Sequence, residues 1–157
     1  VVTTAPAWLS DDELATWKSF SLMHLQLMAK LASQLNADGL SLPDYLVLAT
    51  LSDEPDGRRR IVELGVELGW EKSRVSHHLS RMCERGLVRK HKCPTDQRGA
   101  FVEITEFGRN ELVRTAPAHV HQVRQMFIDQ LRPSELRTLG AVAERVLRVL
   151  HEAHVTS

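Results

Sequence analysis

The chain has 157 residues, 43% of them apolar and 25% charged, with only two cysteines. This suits one small globular domain and excludes a disulfide scaffold, a collagen-like chain and a disordered tail. Twenty Lys and Arg balance twenty Asp and Glu, so net charge gives no hint of a nucleic-acid partner, but the distribution does. Residues 1–57 carry Lys18 and Lys30 against eight acids, residues 58–98 carry eleven basic side chains against five acids, and the remainder has seven of each. Basic charge gathered in one segment is the footprint of a DNA-binding face.

In chain order, Ser10 to Glu13 has the S-x-x-E spacing of a capping box. Leu14, Trp17, Phe20, Leu27, Met28, Leu31 and Leu35 then recur at helical spacing to about Asn36, with His24 on the same stripe. That stripe is wider than one small domain covers, which predicts contact with a second copy of the chain. Ser41-Leu42-Pro43-Asp44 opens another helix with Ser41 as N-cap and Pro43 in the first turn. Tyr45, Leu48 and Leu51 supply its buried face, and Ser52 to Gly57 ends it. Arg58, Arg59 and Arg60 follow, either as a solvated basic run or as phosphate contacts.

From Ile61 to Thr105 the pattern is a short helix, a Gly69-Trp70 turn, a second helix, and a hairpin. Gly65 leaves room for a close helix crossing. In the second helix Val75, Leu79 and Met82 lie at i, i+4 and i+7 and face inward. The opposite side carries Ser73, His77, Ser80 and Arg81, flanked by Arg74 and Ser76, side chains that can reach base edges and phosphates from a major groove. Gly86 ends this helix. Leu87 to Lys92 and Ala100 to Thr105 are predicted as two strands joined by Cys93 to Gly99. Arg98 near the tip suits a narrow minor groove, with Asp96 orienting it. This is a winged helix-turn-helix: a mainly α fold with a small β-hairpin wing.

Thr105 is the N-cap of the next helix, which runs through Leu112 and Val113, is disturbed by Pro117 with an expected kink, and resumes from Val120 to Leu131. A last helix follows Pro133, with Leu136, Leu139, Val142, Val146 and Leu150 on one side. Residues 10–38 and 109–157 are expected to form a helical dimerisation layer, and residues 41–108 a DNA-binding lobe.

The order of these elements, with LSLPDYLVLATL, RGLVRKHKCPTDQRG and ITEFG, resembles the MarR family of bacterial transcription regulators over nearly the whole chain. The resemblance implies a homodimer whose terminal helices interlock, with recognition helices in successive major grooves of an inverted repeat and wing arginines in the flanking minor grooves. Ser73, Arg74, Ser76, His77, Arg81, Asp96 and Arg98 are then the DNA-binding set. It further implies repression relieved by a small aromatic or phenolic ligand in a cleft between the two layers, for which Trp17, Phe20, His24 and Tyr45 are the candidates. Gly65 stands where the family usually has Ala, and Arg60 near where a Ser or Thr N-cap is common.

Other chemistry is weaker. The eight histidines include His77-His78, His119-x-His121 and His151-x-x-His154, but no Cys or acidic cluster completes a tetrahedral set, so neither metal nor cofactor is expected. Nucleophile-elbow and phosphate-loop motifs are absent, which argues against an enzyme. Cys83 and Cys93 leave a thiol-responsive regulator open, and an architectural or enzyme-associated winged-helix module is the other alternative. With no signal-peptide pattern and no apolar run near the roughly 18 residues of a membrane span, a cytoplasmic protein is expected.

Overall fold

A computed structural model describes residues 8–92 and 99–155. The elements are α1 (Asp11–Ala37), α2 (Leu42–Ser52), β1 (Arg58–Arg60), α3 (Ile61–Leu68), α4 (Lys72–Glu84), β2 (Val88–Lys92), β3 (Ala100–Ile104), α5 (Glu106–Met126) and α6 (Pro133–Val155).

Local chemistry places the helix starts. Ser10 and Glu13 close a reciprocal box: Ser10 N–H donates to Glu13 Oε2 at 2.7 Å and Glu13 N–H to Ser10 Oγ at 3.3 Å. Ser41 and Asp44 do the same for α2, at 3.0 and 3.2 Å. At α3 the N-cap is Arg60, whose side chain makes no capping bond.

The core is assembled from α2, α3, α4, the sheet and the start of α5. Leu48, Leu51, Leu64, Leu79, Met82, Leu87 and Val102 are fully enclosed there, with Leu40, Val47, Val75, Ile104 and Leu112 around them. Each such side chain contributes about 1.5–3 kcal/mol by leaving water, so most of the hydrophobic stabilisation of the chain is concentrated in this body. In contrast, α1 buries only Leu31 and Leu35, near its C-terminal end, and α6 buries nothing among its described side chains.

Two sequence expectations are corrected. The wing belongs to a three-stranded antiparallel sheet of order β1-β3-β2, not to a two-stranded hairpin. Arg58–Arg60, read above as a basic run, form its edge strand, with Arg58 opposite Glu103 and Arg60 opposite Phe101. The strand forms because β3 offers an unpaired edge and a cross-strand carboxylate, neither of which is visible in a local Arg-Arg-Arg pattern. Second, the helix expected to run on to Leu131 ends at Met126, before a 3-10 turn at Ile128–Gln130; it passes through Pro117 as one helix, as expected. Pro117 sits on the exposed side of α5, where it supplies no backbone N–H to the helix.

Candidate nucleic-acid interface

Two glycines bring α3 and α4 together. Gly69 takes φ +63°, the left-handed conformation that ends α3 in a tight turn. At Gly65 a Cβ would stand 3.0 Å from Val75 Cγ2, so its absence permits the close crossing. The periodicity of α4 then separates its faces: Val75, His78, Leu79 and Met82 are buried, while Ser73, Arg74, Ser76, His77, Ser80 and Arg81 are exposed.

The outer face is organised by contacts that fix its cations. The Arg74 guanidinium lies 4.6 Å from the Trp70 ring centroid, a cation–π arrangement. Arg81 Nη2 donates to His78 Nδ1 at 3.2 Å. From β2, Lys90 donates to the Ser76 carbonyl at 3.3 Å and to Ser80 Oγ at 2.9 Å. Lys90 was not singled out from the sequence, because its partners sit 10 and 14 residues away on another element. Asp96 and Arg98, together with Cys93, lie outside the described residues.

The arginines of β1 are engaged with acids. Arg58 pairs with Asp56 at 2.7 Å, Arg59 with Glu54 at 3.4 Å and also with Glu67, and Arg60 approaches Glu63 at 4.0 Å. Arg58 and Arg60 also lie 5.6 and 5.4 Å from the Phe101 centroid. These pairs favour a role in holding the sheet edge over one in phosphate contact.

Behind α4 sits a buried polar network that sequence reasoning missed. Asp44, 2% exposed, has His78 Nε2 at 3.1 Å from Oδ1, a close polar contact that is not an aligned hydrogen bond, and Arg85 Nη1 at 2.7 Å from Oδ2. Arg85 Nη2 also donates to the Gly39 carbonyl at 3.1 Å. Burial alone would raise the Asp44 pKa; the close His78 imidazole and the hydrogen bonds from Arg85 and Ser41 outweigh it and hold the carboxyl well below the usual carboxylate range. The network joins α2, α4 and the α1–α2 connection. One signal for His78 was present: with Val75, Leu79 and Met82 it completes an i, i+3, i+4, i+7 inward face.

Because its folded pKa is depressed, Asp44 contributes stability above the unfolded carboxylate pKa of about 3.9, and that contribution is lost as pH falls toward the folded value. Asp44→Ala is expected to cost about 2–4 kcal/mol at neutral pH, from one charged hydrogen-bond set and one cap. The larger penalty of an abandoned buried charge is not expected, since the Arg85 side chain is 45% exposed and can turn to water. In urea unfolding, the gap between wild type and Asp44→Ala should be full above about pH 5 and narrow below about pH 4. A gap independent of pH would show that the paired carboxylate is not its source.

The four ligand candidates do not converge in one protomer. Trp17, Phe20 and His24 stack along α1, with centroids 6.1 and 6.3 Å apart in succession, and Trp17 and Phe20 are 59% and 49% exposed. Trp17 and Phe20, but not His24, border an open groove of about 910 Å³ shared with Val142 and Val146 of α6. Tyr45 instead meets His119 of α5, centroids 4.3 Å apart. Burial raises the Tyr45 pKa and lowers that of His119, so both rings are neutral near pH 7.

No helix among the described residues is long and apolar enough to cross a membrane. A family model described as the MarR family matches residues 38–99. The transcriptional regulator HosA of Escherichia coli O111:H- is 33% identical over 79 residues, half of this chain and 56% of that relative, so the chain spans little more than half of its length. Two solved structures match throughout. AbsC, a MarR family transcriptional regulator from Streptomyces coelicolor, superposes with a TM-score of 0.88 at 34% identity, covering 94% of this chain and 99% of that one. Sco3205, a MarR family regulator of the same organism in complex with DNA, gives 0.85 at 35%, covering 92% and 91%. With the exposed basic face of α4 mounted on a glycine-built helix crossing, and this likeness running the length of the fold, the chain belongs to the MarR family of DNA-binding transcriptional regulators.

Proposed function

We propose that the protein is a homodimeric, sequence-specific repressor that reads an inverted repeat in double-stranded DNA. The observation that carries this reading is an apolar face left open on α1 and α6. Leu14, Trp17 and Phe20 on α1 and Val142, Val146 and Leu150 on α6 are all exposed in the single chain. Monomeric proteins rarely leave so large a contiguous apolar patch in water, and a second copy of the same two helices covers it with two-fold symmetry. Two copies of α4 then face the duplex, at the spacing of about 34–36 Å that successive major grooves require.

On each α4, Ser73, Arg74, Ser76, His77 and Arg81 are the base- and phosphate-contacting set, with Lys90 beside them. The wing residues Arg98 and Asp96 join it on sequence grounds alone. That the Sco3205 structure holds DNA supports the same use of α4 here. Repression follows from occupancy, since a tightly bound dimer over a promoter excludes polymerase without needing any activating surface.

For the effector, a small aromatic or phenolic molecule remains the reading. It is supported by the stacked Trp17, Phe20 and His24, and by Tyr45 against His119. His119 Nδ1 is a buried polar atom without a hydrogen-bond partner, as are Gln34 Oε1 on α1 and Gln122 Oε1 on α5, and a ligand hydroxyl could donate to such acceptors. A ligand acts here only through its preference for the lobe spacing that does not fit DNA.

One experiment tests the reading. Duplexes enriched from a random library by the purified protein should bind at least about 1000-fold more tightly than scrambled duplex at the same salt, and an effective aromatic acid should release them. Equal affinity for enriched and scrambled duplex would leave only an architectural role.

A further inference from the structure

Arg81, an exposed arginine on the face of α4 proposed to meet DNA, is tethered to the protein interior through a single imidazole. Arg81 Nη2 is 3.2 Å from His78 Nδ1, and a guanidinium can only donate. Nδ1 is therefore the unprotonated nitrogen, and the ring proton of neutral His78 resides on Nε2. That nitrogen lies 3.1 Å from Asp44 Oδ1 without making an aligned hydrogen bond, so it is the Arg81 contact that selects the tautomer. The ring plane is held by Trp70, which meets it edge-on with centroids 5.2 Å apart. Asp44 in turn is fixed by the Ser41 N–H at 3.0 Å and by Arg85 Nη1 at 2.7 Å, and Arg85 is anchored on the Gly39 carbonyl.

From these contacts we infer that His78 is a positioning residue: held in place by Trp70 among buried side chains, its Nδ1 offers Arg81 an acceptor of fixed direction and so pre-aims that guanidinium at the duplex. An exposed arginine spreads over many rotamers and must surrender them on binding. Held by an acceptor of fixed direction, Arg81 surrenders fewer, and its fork arrives oriented for the paired acceptors of a guanine edge. The inference rests on the proposed DNA-reading role of α4 and adds the element that sets its precision.

The test uses the full-length protein and a fluorescent duplex enriched from a random library by wild type, titrated at fixed salt. His78→Gln keeps an amide N–H within reach of Asp44 but removes the acceptor beside Arg81. His78→Asn places a carbonyl oxygen near the Nδ1 position and gives up the Asp44 contact. Arg81→Ala is expected to weaken binding about 10-fold or more, and His78→Gln roughly 2- to 10-fold. His78→Asn should recover most of the His78→Gln loss. In the Arg81→Ala background, His78→Gln should cost nothing further, which a merely structural role for His78 would not produce, since a loosened fold weakens both backgrounds alike.

Equal losses for the Gln and Asn variants, or fully additive losses with Arg81→Ala, would overturn the inference while leaving the DNA reading intact. If Arg81→Ala binds as wild type does, the inference falls with the role given to Arg81. A wild type that enriches no sequence at all removes the underlying reading instead.

Discussion

Gly108→Ala is expected to destabilise the protein by about 3 kcal/mol or more, lowering Tm by about 6 to 12 °C for a chain of this size. Gly108 is the third residue of α5, where alanine ordinarily improves a helix by up to about 1 kcal/mol. Packing reverses the sign. A Cβ at Gly108 would stand 2.1 Å from the Leu87 carbonyl oxygen, 3.0 Å from its carbon and 3.2 Å from Leu48 Cδ2. The carbonyl cannot swing aside cheaply, because it accepts from Thr105 N–H at 3.2 Å and from Thr105 Oγ1 at 3.1 Å. Nor can α5 rise, since Gly108 N–H donates to Thr105 Oγ1 at 2.9 Å in the cap that starts the helix. The junction is where the reading lobe hands over to the long helix, so its loss loosens both. Thermal unfolding by circular dichroism checks this, and an unchanged or raised Tm would mean that the approach is looser than described.

The second large effect is expected from a residue that does nothing for the single chain. Val146 is 50% exposed on α6, and a surface change to Glu at such a position normally stays within about 0.5 kcal/mol. Covered by a second copy, the same carboxylate is carried into an apolar interface and costs several kcal/mol. Val146→Glu should therefore run as a monomer at micromolar concentration while the far-UV spectrum stays that of a folded helical protein. DNA binding should fall by about 100-fold or more, because the second half-site is no longer delivered at high effective concentration. A variant that remains dimeric and binds DNA normally would show that α6 is not covered in the assembly.

Much of this was legible in the sequence, and the parts that were not share a cause. The helix-turn-helix was readable because its determinants are local: Gly69 for the turn, Val75, Leu79 and Met82 for the inward face, and Ser10, Ser41 and Thr105 for the helix starts. The third strand was hidden because Arg58–Arg60 has no alternation of its own and becomes a strand only by pairing with β3, more than 40 residues away. The role of Asp44 was hidden for the same reason. Beside Pro43 it reads as first-turn chemistry, which it also performs, while His78 and Arg85 reach it from another helix. In the sequence His78 stands out only as the neighbour of His77 in an incomplete metal set, although the helical period puts His77 and His78 on different sides. The residues of α4 proposed to meet DNA were legible as a face, but what orients them was not, since Trp70, His78 and Lys90 act across the fold.

Pocket chemistry was the least legible part. Trp17, Phe20, His24 and Tyr45 share apolar character in sequence, yet the first three line one helix and Tyr45 finds His119 on another. Aromatic composition along an amphipathic helix says that a surface is covered, and says nothing of whether a partner helix or a small molecule covers it.

The central claim is that two copies of this chain join through α1 and α6 to set the distance between two reading helices. Its most direct test is the mass and sequence of the complex formed on duplexes enriched by the wild-type protein. The account predicts two chains per duplex and an inverted repeat whose half-sites are centred about one helical turn apart. One chain per duplex on a single, asymmetric site would contradict it.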